Sequence, residues 1–148
     1  MEKTIAGWRE WVTLPDFADV RLKAKLDTGA HSSALHATHM IESIHHGQKW
    51  VEFDIHPRQK SIDGRKRVRC PVLEFRHVKS SSGQSENRPV IQTQIKLAEL
   101  TWDLEFTLTN RDLMGFRLLL GRKALRKFFM VDCSRSYIAT STKKKKVE

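Results

Sequence analysis

An aspartate, a threonine and a glycine stand at the end of an alternating segment, and these residue types can do acid–base chemistry. Asp27, Thr28 and Gly29 follow residues Val20–Leu26, in which apolar and basic side chains alternate. Because alternation with a period of two predicts a β-strand with one buried face, the Asp27 carboxylate is expected at a strand end. A carboxyl group there can take a proton from water or give one to a reacting group. Alone, the triplet is also typical of an ordinary turn.

Peptide hydrolysis by water needs one group that accepts the proton of the water and one that protonates the carbonyl oxygen. Two carboxyl groups about 3 Å apart can do both, because they cannot both ionise cheaply and so share one proton. Asp27 supplies one carboxyl, and the sequence contains no second Asp-Ser/Thr-Gly triplet. We therefore expect a twofold homodimer with Asp27 of each subunit on the axis. Thr28 would anchor the loop through its hydroxyl, and Gly29 would let two backbones approach closely.

A second motif lies much later in the chain. Residues Phe116–Leu120 read as an apolar strand that ends at Gly121, and the basic and apolar run that follows predicts a short helix over Gly121–Phe129. Together with the Asp27 triplet, this motif resembles the retropepsin-like aspartic peptidases. More narrowly, the chain resembles a bacterial group often labelled "ATP-dependent zinc protease". The segments that carry this narrower resemblance are Gly7–Glu10, Leu14–Pro15, Ala24–Ala30, Ser33–Ala37, Arg88–Ile91, Leu108–Arg111 and Leu120–Arg122.

The resemblance implies a fold, a flap and a set of site residues. The fold is all-β, a retropepsin-like closed β-barrel with one short helix after Gly121. The flap is a β-hairpin that closes over the substrate, and its candidate is Arg76–Val90 with Ser80–Gly83 near the tip. A mobile surface loop is the alternative interpretation of that segment. The site residues are Asp27, Thr28 and Gly29 for catalysis and Ala30 for substrate binding, with Leu119–Gly121 packed against their loop.

Three arginines are candidates for further roles. Arg88 and Arg111 lie near the expected flap and near a strand of the site, so both are predicted to bind substrate carboxylates in bidentate fashion. Structural salt bridges are the alternative for each of them. Arg122 follows Gly121 directly and is assigned to a structural ion pair or one at the dimer interface.

The group label suggests zinc and ATP, and the residues favour neither. His31, His36 and His39 lie close together in sequence, but there is no His-Glu-x-x-His motif. On an extended strand His36 and His39 would point to opposite faces. A Gly-rich phosphate loop is also missing. The sequence thus predicts no metal ligands and no cofactor. A zinc-dependent hydrolase and a non-catalytic peptide-binding β domain stay open as alternatives.

The charge of the chain favours anionic partners. There are 27 Lys and Arg residues against 17 Asp and Glu residues, a formal net charge of +10. The excess persists when Lys143–Lys146 are set aside, so the field of the domain itself attracts anions. Nucleic acid is an unlikely partner, because no recognisable nucleic-acid motif is present. The resemblance implies an association with ATP-grasp ligases that add glutamates to proteins or peptides. The expected substrate is therefore a peptide or protein, in particular one with an acidic or glutamate-rich tail.

The remaining pattern favours one domain. Apolar and polar residues alternate over Val51–Ile55, Ile91–Leu97 and Trp102–Leu108, and Val68–Phe75 reads as a strand broken at Pro71. We expect a peptidase domain over residues 1–142 and a basic, disordered tail over residues 143–148. The sequence has no apolar run of about 20 residues and no secretory hydrophobic segment near its start. The expected location is the cytoplasm, with no membrane partner.

Overall fold

The computed structural model describes residues 2–58, 64–79 and 83–140. The expected tail over residues 143–148 lies outside these ranges, as do Ser80–Ser82 of the expected flap tip Ser80–Gly83. Strands account for 62% of the structure, so the chain is mostly β as predicted. The strands are β1 (Thr4–Gly7), β2 (Arg9–Leu14), β3 (Val20–Leu26), β4 (Ser33–His36), β5 (Thr38–His45), β6 (Gln48–Ile55), β7 (Lys66–Pro71), β8 (Glu74–Lys79), β9 (Ser85–Leu97), β10 (Leu100–Thr109), β11 (Leu118–Leu120) and β12 (Phe129–Asp132).

Six strands form the closed barrel that the resemblance implies. They follow one another in the order β10, β4, β11, β3, β2 and β9, and β9 pairs with β10 to complete the ring. On β3 the alternating apolar residues Val20, Leu22, Ala24 and Leu26 are all buried, whereas the basic residues between them are not. The predicted two-residue alternation therefore places the apolar side chains of β3 on the inner face of the barrel wall.

The order of the strands brings the two sequence motifs together. Strand β11 lies between β3 and β4, parallel to β3 and antiparallel to β4. Its register pairs Leu120 with Leu26, the residue that precedes Asp27. Because both parallel strands end at the same edge of the barrel, Gly121 reaches the turn that starts at Asp27.

A separate sheet contains β5, β6 and β7. Pro71 ends β7 at the edge of this sheet, and the chain resumes at Glu74 as β8, which pairs with β9 of the barrel sheet. The segment Val68–Phe75 is thus two strands in two different sheets rather than one interrupted strand. Proline has no N–H to donate, so a strand end at an edge suits it.

The ends of the described chain meet in a small parallel sheet of β1 and β12. The helix that precedes β12, α1, covers Arg122–Leu125 and so ends before the predicted boundary at Phe129. Phe129 instead pairs with Thr4, which requires an extended backbone. No helix in the described ranges is long and apolar enough to cross a membrane.

Glu10 fastens the C-terminal segment to the barrel. Its side chain is fully buried, and its carboxylate accepts hydrogen bonds from the backbone N–H groups of Ile138, Ala139 and Thr140 at 3.0 Å each. The N–H of Gly7 donates to the same carboxylate at 2.6 Å. Such charge-assisted bonds are the strong ones. The buried carboxylate thus adds to two backbone hydrogen bonds of this segment, from the Trp8 N–H to the Arg135 carbonyl and from the Tyr137 N–H to the Arg9 carbonyl, at 2.9 Å each.

Candidate active site

Asp27 begins a short turn at the carboxyl end of β3. Its backbone N–H donates to the carbonyl of Leu120 at 2.8 Å, which ties it to β11. Its side chain is half-buried, and Oδ1 accepts the N–H of Gly29 at 2.9 Å. Thr28 and Gly29 are exposed and Ala30 is half-buried. The four residues predicted for the centre of the site therefore form one turn at the surface of the barrel.

The start of α1 holds this turn from one side. The Arg122 N–H donates to the carbonyl of Ala30 at 2.8 Å, and the Lys123 N–H donates to the carbonyl of His31 at 3.1 Å. The guanidinium of Arg122 donates to the carbonyl of Thr28 at 3.0 Å. Arg122 was expected to form a structural ion pair or one at the dimer interface. Within the described chain its guanidinium binds a backbone carbonyl of the turn, and the ion pair at the interface stays a prediction.

Gly121 allows the two segments to approach this closely. Its N–H donates to the Ser33 hydroxyl at 3.1 Å. A Cβ atom at this position would lie 2.5 Å from the carbonyl oxygen of Ser32 and 2.9 Å from that of Ala30. Contacts of Cβ atoms under 3.0 Å are essentially never found, and the neighbours here are backbone atoms. The absence of a side chain thus sets the spacing between β11 and the turn.

Arg88 and Arg111 lie together, but in a second cluster. Arg88 is on β9 and Arg111 follows β10, and both donate from Nε to the carboxylate of Glu86. The Arg111 bond measures 2.9 Å, and the Thr109 hydroxyl donates to the same carboxylate at 3.0 Å. Glu86 was not among the residues predicted for the site, although its spacing of two residues from Arg88 puts both side chains on one face of a strand.

The histidines considered as zinc ligands are placed differently. His36 is buried at the end of β4, and its ring lies 5.9 Å from that of His56. The Arg117 guanidinium lies 3.4 Å from Nδ1 of His36. Burial lowers the pKa of His36 below its usual value, and the charges of Arg117 and His56 lower it further. His39 is exposed and pairs with Asp54 at 3.0 Å.

A guanidinium beside a buried histidine repels a cation, so this cluster is a poor metal site. Among the residues that the structure describes, no group of three His, Cys, Asp or Glu side chains is arranged to hold a metal ion.

The fold and the turn together define a class of protein. A closed barrel that presents an Asp-Thr-Gly turn, with a Leu-Leu-Gly strand end fixed beside it, is the arrangement of a retropepsin-like domain. A family model described as "RimB-like: Retropepsin-like aspartic endopeptidase RimB" matches residues 5–142. The chain belongs to this RimB-like family.

Curated relatives carry a different name. Proteins of Desulfotalea psychrophila and Shewanella pealeana, each named "Probable alpha-L-glutamate ligase", are 45% and 42% identical to the chain. The matches cover 88% and 91% of this chain but 28% and 30% of the relatives. The chain thus spans less than a third of the length of these relatives.

A solved structure has the same fold. The crystal structure of a protein of unknown function from Legionella pneumophila matches with a TM-score of 0.76 at 29% identity. The match covers 94% of this chain and 100% of that chain.

Proposed function

We propose that the chain is an aspartic endopeptidase that works as a twofold homodimer, with water activated between the two Asp27 carboxyls. The observation that carries the proposal is the Asp27 turn, whose backbone is held by Leu120 and Arg122 while its carboxylate stays accessible. A rigid turn with an accessible carboxylate suits a group that must meet a second carboxyl and a water in defined geometry. The family description supports the same chemistry.

An exposed apolar patch on the sheet of β1 and β12 supports the dimer. Ile5 and Met130 are register partners in the sheet of β1 and β12, and their side chains are 56% and 60% exposed. The opposite face of β12, with Phe129 and Val131, lines a groove that reaches Thr28 of the turn. Its lining residues are Thr28, Arg122, Leu125, Arg126, Phe129 and Val131. A twofold contact through the patch of Ile5 and Met130 would bring the two Asp27 turns near the same axis, because the sheet that carries this patch also borders the groove that reaches Thr28.

The dimer can be tested by placing a charge on this patch. Met130→Glu is expected to give a monomer and to lower peptide cleavage by at least about 100-fold, because a single Asp27 cannot be both acid and base. Sedimentation equilibrium and a cleavage assay measure the two effects. The matched control is Ile44→Glu, since Ile44 is 66% exposed on β5 in the other small sheet. A fully active Met130→Glu monomer would contradict the dimeric mechanism.

We further propose glutamate-rich peptides as the substrate. The net charge of +10 supports an anionic substrate. The names of the curated relatives connect sequences of this kind with glutamate ligation. A peptidase that removes ligated glutamates would act on the product of such a ligase. The ligase activity itself is a weaker candidate for this chain, which matches under a third of each relative and has no Gly-rich phosphate loop.

The substrate proposal predicts a dependence on salt. The kcat/KM for a glutamate peptide is expected to fall by roughly tenfold when salt is raised from about 0.01 M to about 0.5 M, because ions screen the attraction between exposed charges. A neutral peptide of the same length serves as the control and should be cleaved more slowly at low salt. Equal, salt-insensitive cleavage of both peptides would show that the positive charge is only a solvated surface.

A further inference from the structure

Glu86 sits in a complete binding site for a carboxylate. One of its oxygens accepts bonds from Arg88 and from the Thr109 hydroxyl, and the other accepts the Arg111 bond. The guanidinium of Arg111 also donates to the side-chain oxygen of Gln84 at 3.2 Å. Burial raises the pKa of the Glu86 carboxyl, but the bonds from Arg111, Arg88 and Thr109 outweigh burial and hold that pKa below its usual value. The site is therefore built for a charged carboxylate.

This cluster joins the expected flap to the wall that leads to the catalytic turn. Gln84 and Glu86 belong to the hairpin of β8 and β9, whereas Arg111 lies in the loop from β10 to β11. The same loop contacts β3 near the turn, since Met114 Sδ lies 2.8 Å from Nζ of Lys25. The bonds of Glu86 thus close the hairpin against a loop that borders the Asp27 strand.

The register of β10 gives an approximate distance between the Glu86 cluster and the Asp27 turn. Strand β10 runs parallel to β4, with Phe106 beside Ser33 and Thr109 beside His36. Ser33 is bonded to Gly121 next to the turn. Three residues of strand place Thr109 about 10 Å farther along, and an extended peptide covers the same distance in about three residues. The cluster is thus at least about 10 Å from the turn, so a substrate side chain that reaches it lies three or more residues from the cleaved bond.

We propose that Arg88, Arg111 and Thr109 form a subsite for an acidic side chain of the substrate, and that Glu86 fills this subsite in the free protein. The inference rests on the proposed function and adds that the Glu86 carboxylate competes with the substrate carboxylate for the same hydrogen-bond donors. Arg88 is only 13% exposed, so its guanidinium must keep an anionic partner. Arg111 is 40% exposed and leaves a side from which a ligand carboxylate can enter. A glutamate carboxylate of the substrate replaces that of Glu86 and accepts hydrogen bonds from the same donors, Arg88, Arg111 and Thr109.

Peptide binding to a catalytically inactive background tests this without relying on cleavage. In Asp27→Asn protein, the added change Glu86→Gln is expected to tighten binding of a short glutamate peptide by about tenfold, because the neutral amide competes less well for the guanidiniums. Binding of a glutamine peptide of equal length should not change. The matched control is Glu74→Gln, which removes a negative charge from the same hairpin. Glu74 also pairs with an arginine two residues further on, Arg76, as Glu86 does with Arg88.

A second variant covers the case in which Glu86→Gln does not fold. Arg111→Gln on the same background is expected to weaken binding of the glutamate peptide by about tenfold and to leave binding of the glutamine peptide unchanged. Equal binding of the glutamate peptide to all variants, or a gain for Glu74→Gln as large as for Glu86→Gln, would overturn the subsite. Because these are binding measurements, their result does not depend on whether Asp27 catalyses hydrolysis, which the cleavage assay decides separately.

Discussion

Asp27→Asn is expected to lower peptide cleavage by on the order of 1,000-fold while the chain stays folded and dimeric. The amide can neither accept the proton of the water nor return it, so the acid–base pair is lost in both subunits. The amide oxygen can still accept the Gly29 N–H, which the carboxylate accepts at 2.9 Å in the wild type. The turn should therefore keep its shape. Cleavage of a glutamate peptide, sedimentation and circular dichroism measure these outcomes.

Asp16→Asn is the matched control for this change. The Asp16 carboxylate also accepts a backbone N–H, from Gln94 at 3.1 Å, but it precedes β3 whereas Asp27 follows it. The seven residues of β3 separate the two positions by about 23 Å. Wild-type cleavage by folded Asp27→Asn would refute aspartic catalysis. If a chelator then removed that activity and zinc restored it, the metal-dependent alternative would take its place.

Gly121→Ala is expected to reduce stability and cleavage together. The new Cβ would lie 2.5 Å from the Ser32 carbonyl oxygen, so the turn that carries Asp27 must move away from β11. Overpacking of this kind costs about 1–3 kcal/mol of unfolding free energy. A displacement of about 1 Å at a reacting group can cost about 100-fold in rate. Denaturant titration gives the first effect, and cleavage measured well below the unfolding midpoint gives the second.

Gly7→Ala is the control that distinguishes an effect of strain at the Asp27 turn from an effect of strain elsewhere in the fold. A Cβ at Gly7 would also lie 2.5 Å from a carbonyl oxygen, that of Arg135 in the C-terminal segment. The two variants should therefore lose similar stability, and only Gly121→Ala should lose activity per folded molecule. If both variants cleave equally well when folded, the close approach at Gly121 is a packing feature without a role in positioning Asp27.

The strands nearest the site were predictable because their signal is local. The alternation of Val20–Leu26 follows from the two-residue period of a strand with one buried face, and β3 has these limits. The position of Asp27 at the strand end follows directly. The short segment Leu118–Leu120 is different, since three apolar residues are compatible with either a strand or a helix. The apolar run and the glycine after it favoured a strand, but the placement of this strand beside the Asp27 loop depended on the resemblance to a family.

The helix and the hydrogen bonds of Glu10 show where local pattern is insufficient. The run after Gly121 has residues suited to a helix of two turns, but pairing of Phe129 with Thr4 ends it after Leu125. Glu10 reads as one of many polar residues, yet it binds backbone N–H groups about 130 positions away in the chain. Hydrogen bonds between distant residues leave no periodic trace in a sequence. They appear only when the fold brings the partners together.

By itself the sequence determined the β class of the chain and the presence of Asp27 at the end of a strand, because side-chain alternation and turn chemistry act between neighbouring residues. Only the tertiary structure decided that β11 lies between β3 and β4, so that Gly121 holds the Asp27 turn. It also decided that Arg88 and Arg111 share Glu86. Strand order and register depend on the free energy of the whole barrel. The barrel must bury its apolar side chains and pair its backbone N–H and C=O groups at the same time.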